Sequence, residues 1–290
     1  MLHLLALIGV VCISFSGTLV RLASVSPVTA AFFRAGYALP VLAVLTVFWR
    51  SGIPRPASAR ALAVASGAML AFDLFFWHAS IPLIGVGLST VIVNIQVVFV
   101  GVIAWVLFGE KPGQRTLGVV AVVVLGVILS SGLGRPDAYG ASPGIGTALC
   151  VLAGGCYAGF LLVFRKANRA LAPAPSPLLE ATTGVFLVAV LAAVVDPGFE
   201  LVPTFPAHAW LITLALGSQV VGWMLIAIVL PRVPALETSV LLMAQPVLAM
   251  IWGVVIFSER LSVVQWTGCA LVLAGVGSMS MVRRTARPAA

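Results

Sequence analysis

Charge is scarce in this chain. Asp, Glu, Lys and Arg make up 8% of its 290 residues, against roughly a quarter in a soluble domain. A water-facing surface cannot be built from so few. No segment is long and polar enough to form a separate soluble domain. Lysine is nearly missing, with only Lys111 and Lys166 beside the arginines. No Gly-rich loop closing on Lys-Ser/Thr occurs, so nothing points to ATP as the driving force. A His-Glu-x-x-His motif is absent, no Ser, His and Asp sit where a triad is plausible, and no carboxylates cluster as a sodium site would need. Catalytic residues, metal ligands and cofactors are therefore not expected. The four cysteines, Cys12, Cys150, Cys156 and Cys269, lie in apolar segments without metal-ligand spacing and read as small core residues. The net charge of +8 is scattered over many loops. That argues against nucleic acid as a partner and for loops facing an anionic leaflet.

What fills the chain instead is apolar. Hydrophobic residues make up 61%, in long runs rather than at amphipathic spacing, the pattern of segments solvated by lipid. A helix needs about 20 residues to cross roughly 30 Å of hydrocarbon. The runs predict an all-α membrane protein of ten transmembrane helices, at about 3–21, 28–49, 59–79, 84–107, 115–132, 144–164, 177–195, 208–229, 236–257 and 262–281. Breakers such as Ser26-Pro27, Gly52-Ile53-Pro54, Lys111-Pro112-Gly113, Ser142-Pro143-Gly144, Pro173-Ala174-Pro175 and Pro231 with Pro234 separate them. The first run begins almost at Met1 with no basic flank and is expected to be an uncleaved span. With the N-terminus inside, the inner face receives Arg50, Arg55, Arg60, Lys111, Arg115, Arg165, Lys166, Arg169, Arg232, Arg283, Arg284 and Arg287. The outer face receives only Arg21, Arg135 and Arg260, with the acids Asp196 and Glu200. The positive-inside asymmetry sets the orientation and places both termini in the cytoplasm. Arginine in place of lysine, with abundant Ala, Val and Gly, points to a GC-rich bacterial genome and so to a bacterial cytoplasmic (inner) membrane.

The two halves echo each other. Ser26-Pro27 corresponds to Ser176-Pro177 at an offset of 150. An offset of 149 aligns Pro82 with Pro231, Gln96 with Gln245, Phe108 with Phe257, Glu110 with Glu259 and Lys111 with Arg260. One register later, Thr116-Leu117-Gly118 faces Trp266-Thr267-Gly268. Each half holds five spans, and an odd number inserts the second half upside down. The expected organisation is two inverted-topology five-helix repeats, 1–135 and 136–290, around a central cavity, with a short cytoplasmic C-terminal tail. Inverted repeats are a signature of secondary transporters, which place the substrate at the midplane and alternate access by rocking one half on the other.

The repeat boundaries also carry a family resemblance. Gln245-Pro-Val-Leu-Ala-Met-Ile-Trp-Gly253, Phe257-Ser-Glu-Arg-Leu261 and Gln265-Trp-Thr-Gly268 look like the close of an EamA-type repeat, echoed by Phe108-Gly-Glu-Lys-Pro112. Over essentially its whole length the chain resembles the ten-span branch of the drug/metabolite transporter superfamily, and in overall character it is similar to YddG-type exporters of aromatic and other amino acids. The resemblance implies a helical basket with a central cavity and cytoplasmic termini.

Polar side chains within spans are functional candidates by default. Gln96 and Gln245, paired by the repeat, lie near the midplane with Asn94 and Gln219. Their amides suit an ammonium or a carboxylate, or else hold helices together. Tyr37, Tyr157 and Trp223 lie near that level, with Trp77 and Trp252 closer to the outer face, and together they are candidates to wall a pocket. Arg34 and Asp73 sit at equal depth and are expected to form an ion pair or a gate. Asp73 is also the first candidate if protons drive transport. Glu180 and Glu237 are expected to pair with inner loop cations, and His78 to be interfacial. Gly155 and Gly159 are expected to let helices pack closely. The reading is a secondary transporter exporting small metabolites, foremost amino acids with aromatic or apolar side chains. Export of drugs, sugars or nucleotide precursors is the alternative, then a lipid-modifying enzyme or a scaffold. The expected partners are a small-molecule substrate and the lipid bilayer, with the chain as a monomer.

Overall fold

Apolar runs punctuated by Pro, Gly and Ser become helices. A computed structural model of the chain describes residues 2–49, 55–108, 113–167, 175–229 and 235–285, and among these no strand occurs. Helices α1 (Leu2–Ser14) and α2 (Ser16–Ala23) form one stretch interrupted at Phe15, followed by α3 (Pro27–Phe48). Helix α4 (Ala57–Ile92) passes through a 3-10 turn, Val93–Ile95, into α5 (Gln96–Phe108). Then come α6 (Gln114–Ser131), α7 (Pro143–Ala167), α8 (Pro175–Ala193) and α9 (Phe205–Thr213). A π-helical segment, Leu214–Gly222, joins α9 to α10 (Trp223–Val229), and α11 (Ala235–Phe257) and α12 (Val263–Thr285) complete the fold.

Among the described residues seven helical stretches are long and apolar enough to cross a bilayer, and Ala244–Phe257 and Val263–Ser278 are shorter apolar helices. Large apolar side chains such as Phe48, Leu191 and Val255 project outward with most of their area uncovered. Water does not tolerate such a belt around a monomeric bundle, and lipid does.

Local signals in the sequence explain the helix starts. Ser26 caps α3, its Oγ accepting from the Thr29 amide at 3.1 Å with Pro27 in the first turn. Ser262 and Gln265 form a reciprocal capping box at α12. The Gln265 amide donates to Ser262 Oγ at 3.3 Å, and the Ser262 amide donates to Gln265 Oε1 at 3.1 Å. The fully buried Gln265 also binds both the amide and the carbonyl of Tyr139, at 2.8 and 3.1 Å, and so fastens the loop after α6 to α12.

Helix α4 has 36 residues, about 54 Å at 1.5 Å per residue, too long for one crossing. It breaks at Gly85, whose φ of 86° and ψ of 168° only glycine adopts without strain. Pro82, one turn earlier, has no amide hydrogen and weakens the ladder before the break. The break frees the amides that begin the following helical stretch, and a buried carboxylate takes them. Glu259 Oε1 accepts from the Val86 amide at 2.7 Å and Oε2 from the Gly87 amide at 3.1 Å. Arg21 Nη1 donates to the same Oε1 at 2.6 Å, and its guanidinium lies 4.1 Å from the centroid of the Phe257 ring. An anion at a helix N-terminus, paired with arginine, offsets the cost of burying it.

Two glycine crossings bind one half of the chain to the other. A Cβ on Gly67 of α4 would collide with the Ala181 carbonyl of α8, and one on Gly268 of α12 with the backbone of α6 at Ser130 and Gly126. The close approach of α7 to the rest of the bundle is made by Gly154, against Ile95 and the Val93 carbonyl, whereas Gly155 meets Phe99 only at ordinary contact distance. Gly159 faces the flexible Met69 side chain. The expected Gly155 and Gly159 contact is thus displaced by one residue, onto the face that turns toward the 3-10 segment.

His78, expected to be interfacial, is buried, tilted against Trp77 with ring centroids 5.2 Å apart. Glu180 pairs with Arg55 at 2.9 Å and Arg60 at 3.5 Å. Glu110, Lys111, Arg50, Arg169, Arg232, Arg287 and the breakers at 52–54, 173, 231 and 234 lie outside the described residues, as do the side chains of Glu237, Arg283 and Arg284.

Replacing Glu259 by Gln turns one of its two acceptor oxygens into a donor facing a backbone amide and takes the anion from Arg21. A loss of about 3 kcal/mol or more is expected, read as a lower apparent melting temperature of the purified protein in detergent. An unchanged melting curve would sink the claim that this contact holds the break.

Candidate functional site

The face of α4 ahead of its break carries Leu70, Asp73, Leu74 and Trp77, spaced i, i+3, i+4, i+7, and so presents them on one side. Beyond the break Thr90, Val93 and Asn94 repeat the spacing, and Gln96 follows. Both sets line one cavity of about 120 Å³. Ile13 and Ser16, either side of the Phe15 interruption, close it from α1 and α2, and Arg34 enters from α3. From the second half come Tyr157 of α7, Trp223 of α10 and Gln245 of α11. Residues far apart in the sequence thus meet at one place between the two halves.

The lining is short of hydrogen-bond partners. Ser16 Oγ, Arg34 Nη1, Asp73 Oδ1, Trp77 Nε1 and Gln96 Oε1 are all buried and have none within the protein. Buried polar atoms are paired as a rule, and each exception calls for an explanation. These share one cavity, whereas Thr18, Arg55, His78, Thr147 and Glu180 carry such atoms elsewhere. Asn94 differs from them, since its Nδ2 donates to the Thr90 carbonyl one turn back at 2.8 Å.

Arg34 and Asp73 line this cavity and lie within each other's electrostatic reach, yet the expected direct ion pair does not form. Arg34 Nε donates instead to Gln219 Oε1 at 2.9 Å. Gln219 Nε2 in turn donates to Thr182 Oγ1 at 3.2 Å. Gln219 lies in the π-helical segment, where an extra residue per turn rotates the side chains out of α-helical register. The buried amide therefore holds Arg34 at Nε without itself lining the cavity. Gln219, expected to touch substrate, is not among the residues that line the cavity and meets Arg34 and Thr182 instead.

The other candidates divide in the same way. Asn94, Gln96, Gln245, Trp77, Tyr157 and Trp223 line the cavity. Tyr37 does not, because its hydroxyl is taken by His208 Nδ1 at 2.8 Å on α9. Trp252 is used in packing, stacked on Phe15 at 4.4 Å with its Nε1 donating to Ser14 Oγ at 2.9 Å. The sequence reading passed over Ser16 and Thr90. The i, i+3, i+4 run ending at Asn94 held the signal for Thr90. Nothing in the sequence marked Ser16.

Apolar helices with an outward apolar belt around a polar cavity define a multi-pass membrane protein. The EamA-like transporter family matches residues 1–132 and 144–281, and the chain belongs to that family. It is thus a membrane transporter of small metabolites by family. None of the curated proteins compared with the chain matches it. A solved crystal structure of a protein is similar to it with a TM-score of 0.62 over 99% of each chain at 16% sequence identity, a likeness of fold alone.

Gln219→Leu leaves Arg34 Nε and Thr182 Oγ1 without their partner and is expected to cost about 1–3 kcal/mol. Gln219→Glu keeps the acceptor for Arg34 and is expected to melt closer to the parent. Thermal unfolding of both purified variants checks this, and a Leu variant as stable as the parent would show that the contact contributes nothing.

Proposed function

We propose that this transporter exports amino acids with aromatic or apolar side chains across a bacterial cytoplasmic membrane by alternating access. One observation carries the reading: buried polar atoms without partners, from several helices, open into a single cavity that residues of both halves line. A packed scaffold has no use for such a set, since each orphaned group costs folding energy. A metabolite with its own donors and acceptors satisfies them. Trp77, Tyr157 and Trp223 supply apolar and aromatic walls for a side chain. The cavity volume of about 120 Å³ is below the roughly 300–1,000 Å³ of common small-molecule sites, which favours a small substrate over one of nucleotide size.

In this reading the chain makes ten crossings as two inverted repeats, 1–135 and 136–290. The apolar stretch Ala57–Ile103 is 47 residues long, more than twice the length of one crossing, and counts as two, divided at Gly85. The shorter helices Ala244–Phe257 and Val263–Ser278 are the last two. The family match in two segments of similar length and the echo of Gln96 in Gln245 support the duplication. The positive-inside asymmetry of the loops supports cytoplasmic termini.

The test is efflux from proteoliposomes loaded with labelled amino acids, with and without a pH gradient. Saturable, competable efflux of Trp or Phe is expected. Efflux indifferent to the gradient identifies a facilitator. Efflux that requires it makes Asp73 the first carboxylate to replace. Absence of amino-acid flux would overturn the substrate class. Gln96→Leu and Gln245→Leu are each expected to cut flux about tenfold, the worth of one hydrogen bond to a charged group, with folded protein retained in the membrane. Loss of folded protein instead would make these amides helix-to-helix glue.

A further inference from the structure

Two of the orphaned groups in the cavity are ionisable and opposite in sign. Arg34 and Asp73 are about 5% and 6% exposed, and each keeps one atom, Nη1 and Oδ1, without any partner in the protein. They do not neutralise one another. The arginine is held at Nε by Gln219, itself anchored on Thr182, and it donates there rather than to Asp73. A buried charge left unpaired costs several kcal/mol even after relaxation. A fold that keeps two such groups apart on one cavity is complementary to a molecule bearing both opposite charges.

We infer that the cavity recognises a zwitterion by dividing its charges, the substrate carboxylate on Arg34 and the substrate ammonium on Asp73. The assignment rests on the transport reading above and deepens it. Arginine suits a carboxylate because its planar donors match the two oxygens. Asp73 is acceptor-only when ionised, and suits an ammonium for that reason. Gln96 Oε1 offers a further acceptor on the ammonium side of this scheme, and Trp77, Tyr157 and Trp223 remain for the side chain. The occupied cavity then holds two positive and two negative charges and is neutral overall. A molecule lacking either charge leaves one protein charge buried and unmatched. Specificity therefore comes from what a wrong substrate fails to satisfy as much as from what the right one gains.

The experiment compares three ligands with one ring. Proteoliposomes exchanging labelled phenylalanine are challenged with phenylalanine, with phenethylamine, which lacks the carboxylate, and with 3-phenylpropionate, which lacks the ammonium. Each singly charged analogue is expected to compete about tenfold to a hundredfold more weakly than phenylalanine. In Asp73→Asn the gap between phenylalanine and 3-phenylpropionate narrows while the gap to phenethylamine persists. In Arg34→Gln the pattern reverses. A structural role predicts an equal loss for all three ligands, and that result overturns the inference. So does equal competition by the analogues in the unmodified protein, which needs no variant to fold. Flux of sugars or simple amines without amino-acid flux leaves a transporter standing and removes the zwitterion. If no solute moves faster than through protein-free liposomes, the transport reading itself falls.

Discussion

The arrangement depends on one carboxylate. A chain this apolar forms helices wherever its backbone allows, and residues 57–92 form one too long for a single crossing. The chain must break it without leaving amides unpaired where no water can reach them. Glycine alone makes the turn geometrically possible at Gly85. It does not make the turn affordable, because the freed amides still need acceptors. Glu259 provides two, and Arg21 makes the buried anion tolerable. That cluster ties together α2, the break in α4 and the end of α11, from both halves of the chain. Gly85, Gly87 and Gly253 all lie so close to the Glu259 side chain that a Cβ at any of them would crowd it, so the contact dictates its neighbours as well.

Where α4 breaks decides what lines the cavity. The stretch before the break aims Asp73 and Trp77 inward, and the stretch after it aims Thr90 and Asn94 inward. The glycine crossing at Gly67 and Ala181 fixes α4 against α8, and α8 also carries Thr182, the anchor for Gln219 and through it for Arg34. One helix pairing therefore sets both the position of Asp73 and the support for Arg34. The closest backbone contacts, at Gly67 and Gly268, are made by residues that do not line the cavity, while Ser16, Arg34, Asp73, Trp77 and Gln96 bring unsatisfied polar atoms to it.

Much of this was legible in the sequence for a plain reason. Lipid requires long apolar runs, so helices and their approximate ends follow from composition and breakers. Depth along such a helix also brings Asn94, Gln96, Gln245, Tyr157 and Trp223 to one level, and all of them line the cavity, as does Trp77, expected nearer the outer face. Depth says nothing of rotation about the helix axis. Tyr37 lies at a suitable level and faces His208, and Gln219 faces Arg34. The role of Glu259 was hidden for another reason. Its partners are backbone amides more than 170 residues earlier, exposed by a glycine conformation that the sequence does not announce. The π-helical turn that re-aims Gln219 left no mark in the apolar pattern either.

The separation of Arg34 from Asp73 bears most directly on function. Equal depth on neighbouring spans makes a direct pair the simple expectation, because burying two charges together costs less than burying them apart. The structure departs from that economy and spends a third buried polar side chain, Gln219, on Arg34. A closed ion pair satisfies itself and offers a ligand little. An open pair, its arginine held by a third side chain, has its attraction left over for whatever enters between. It binds most strongly what carries both charges, and its empty state is the costly one. That cost adds to what a fitting substrate gains on entering, because binding supplies the partners that the two buried charges lack.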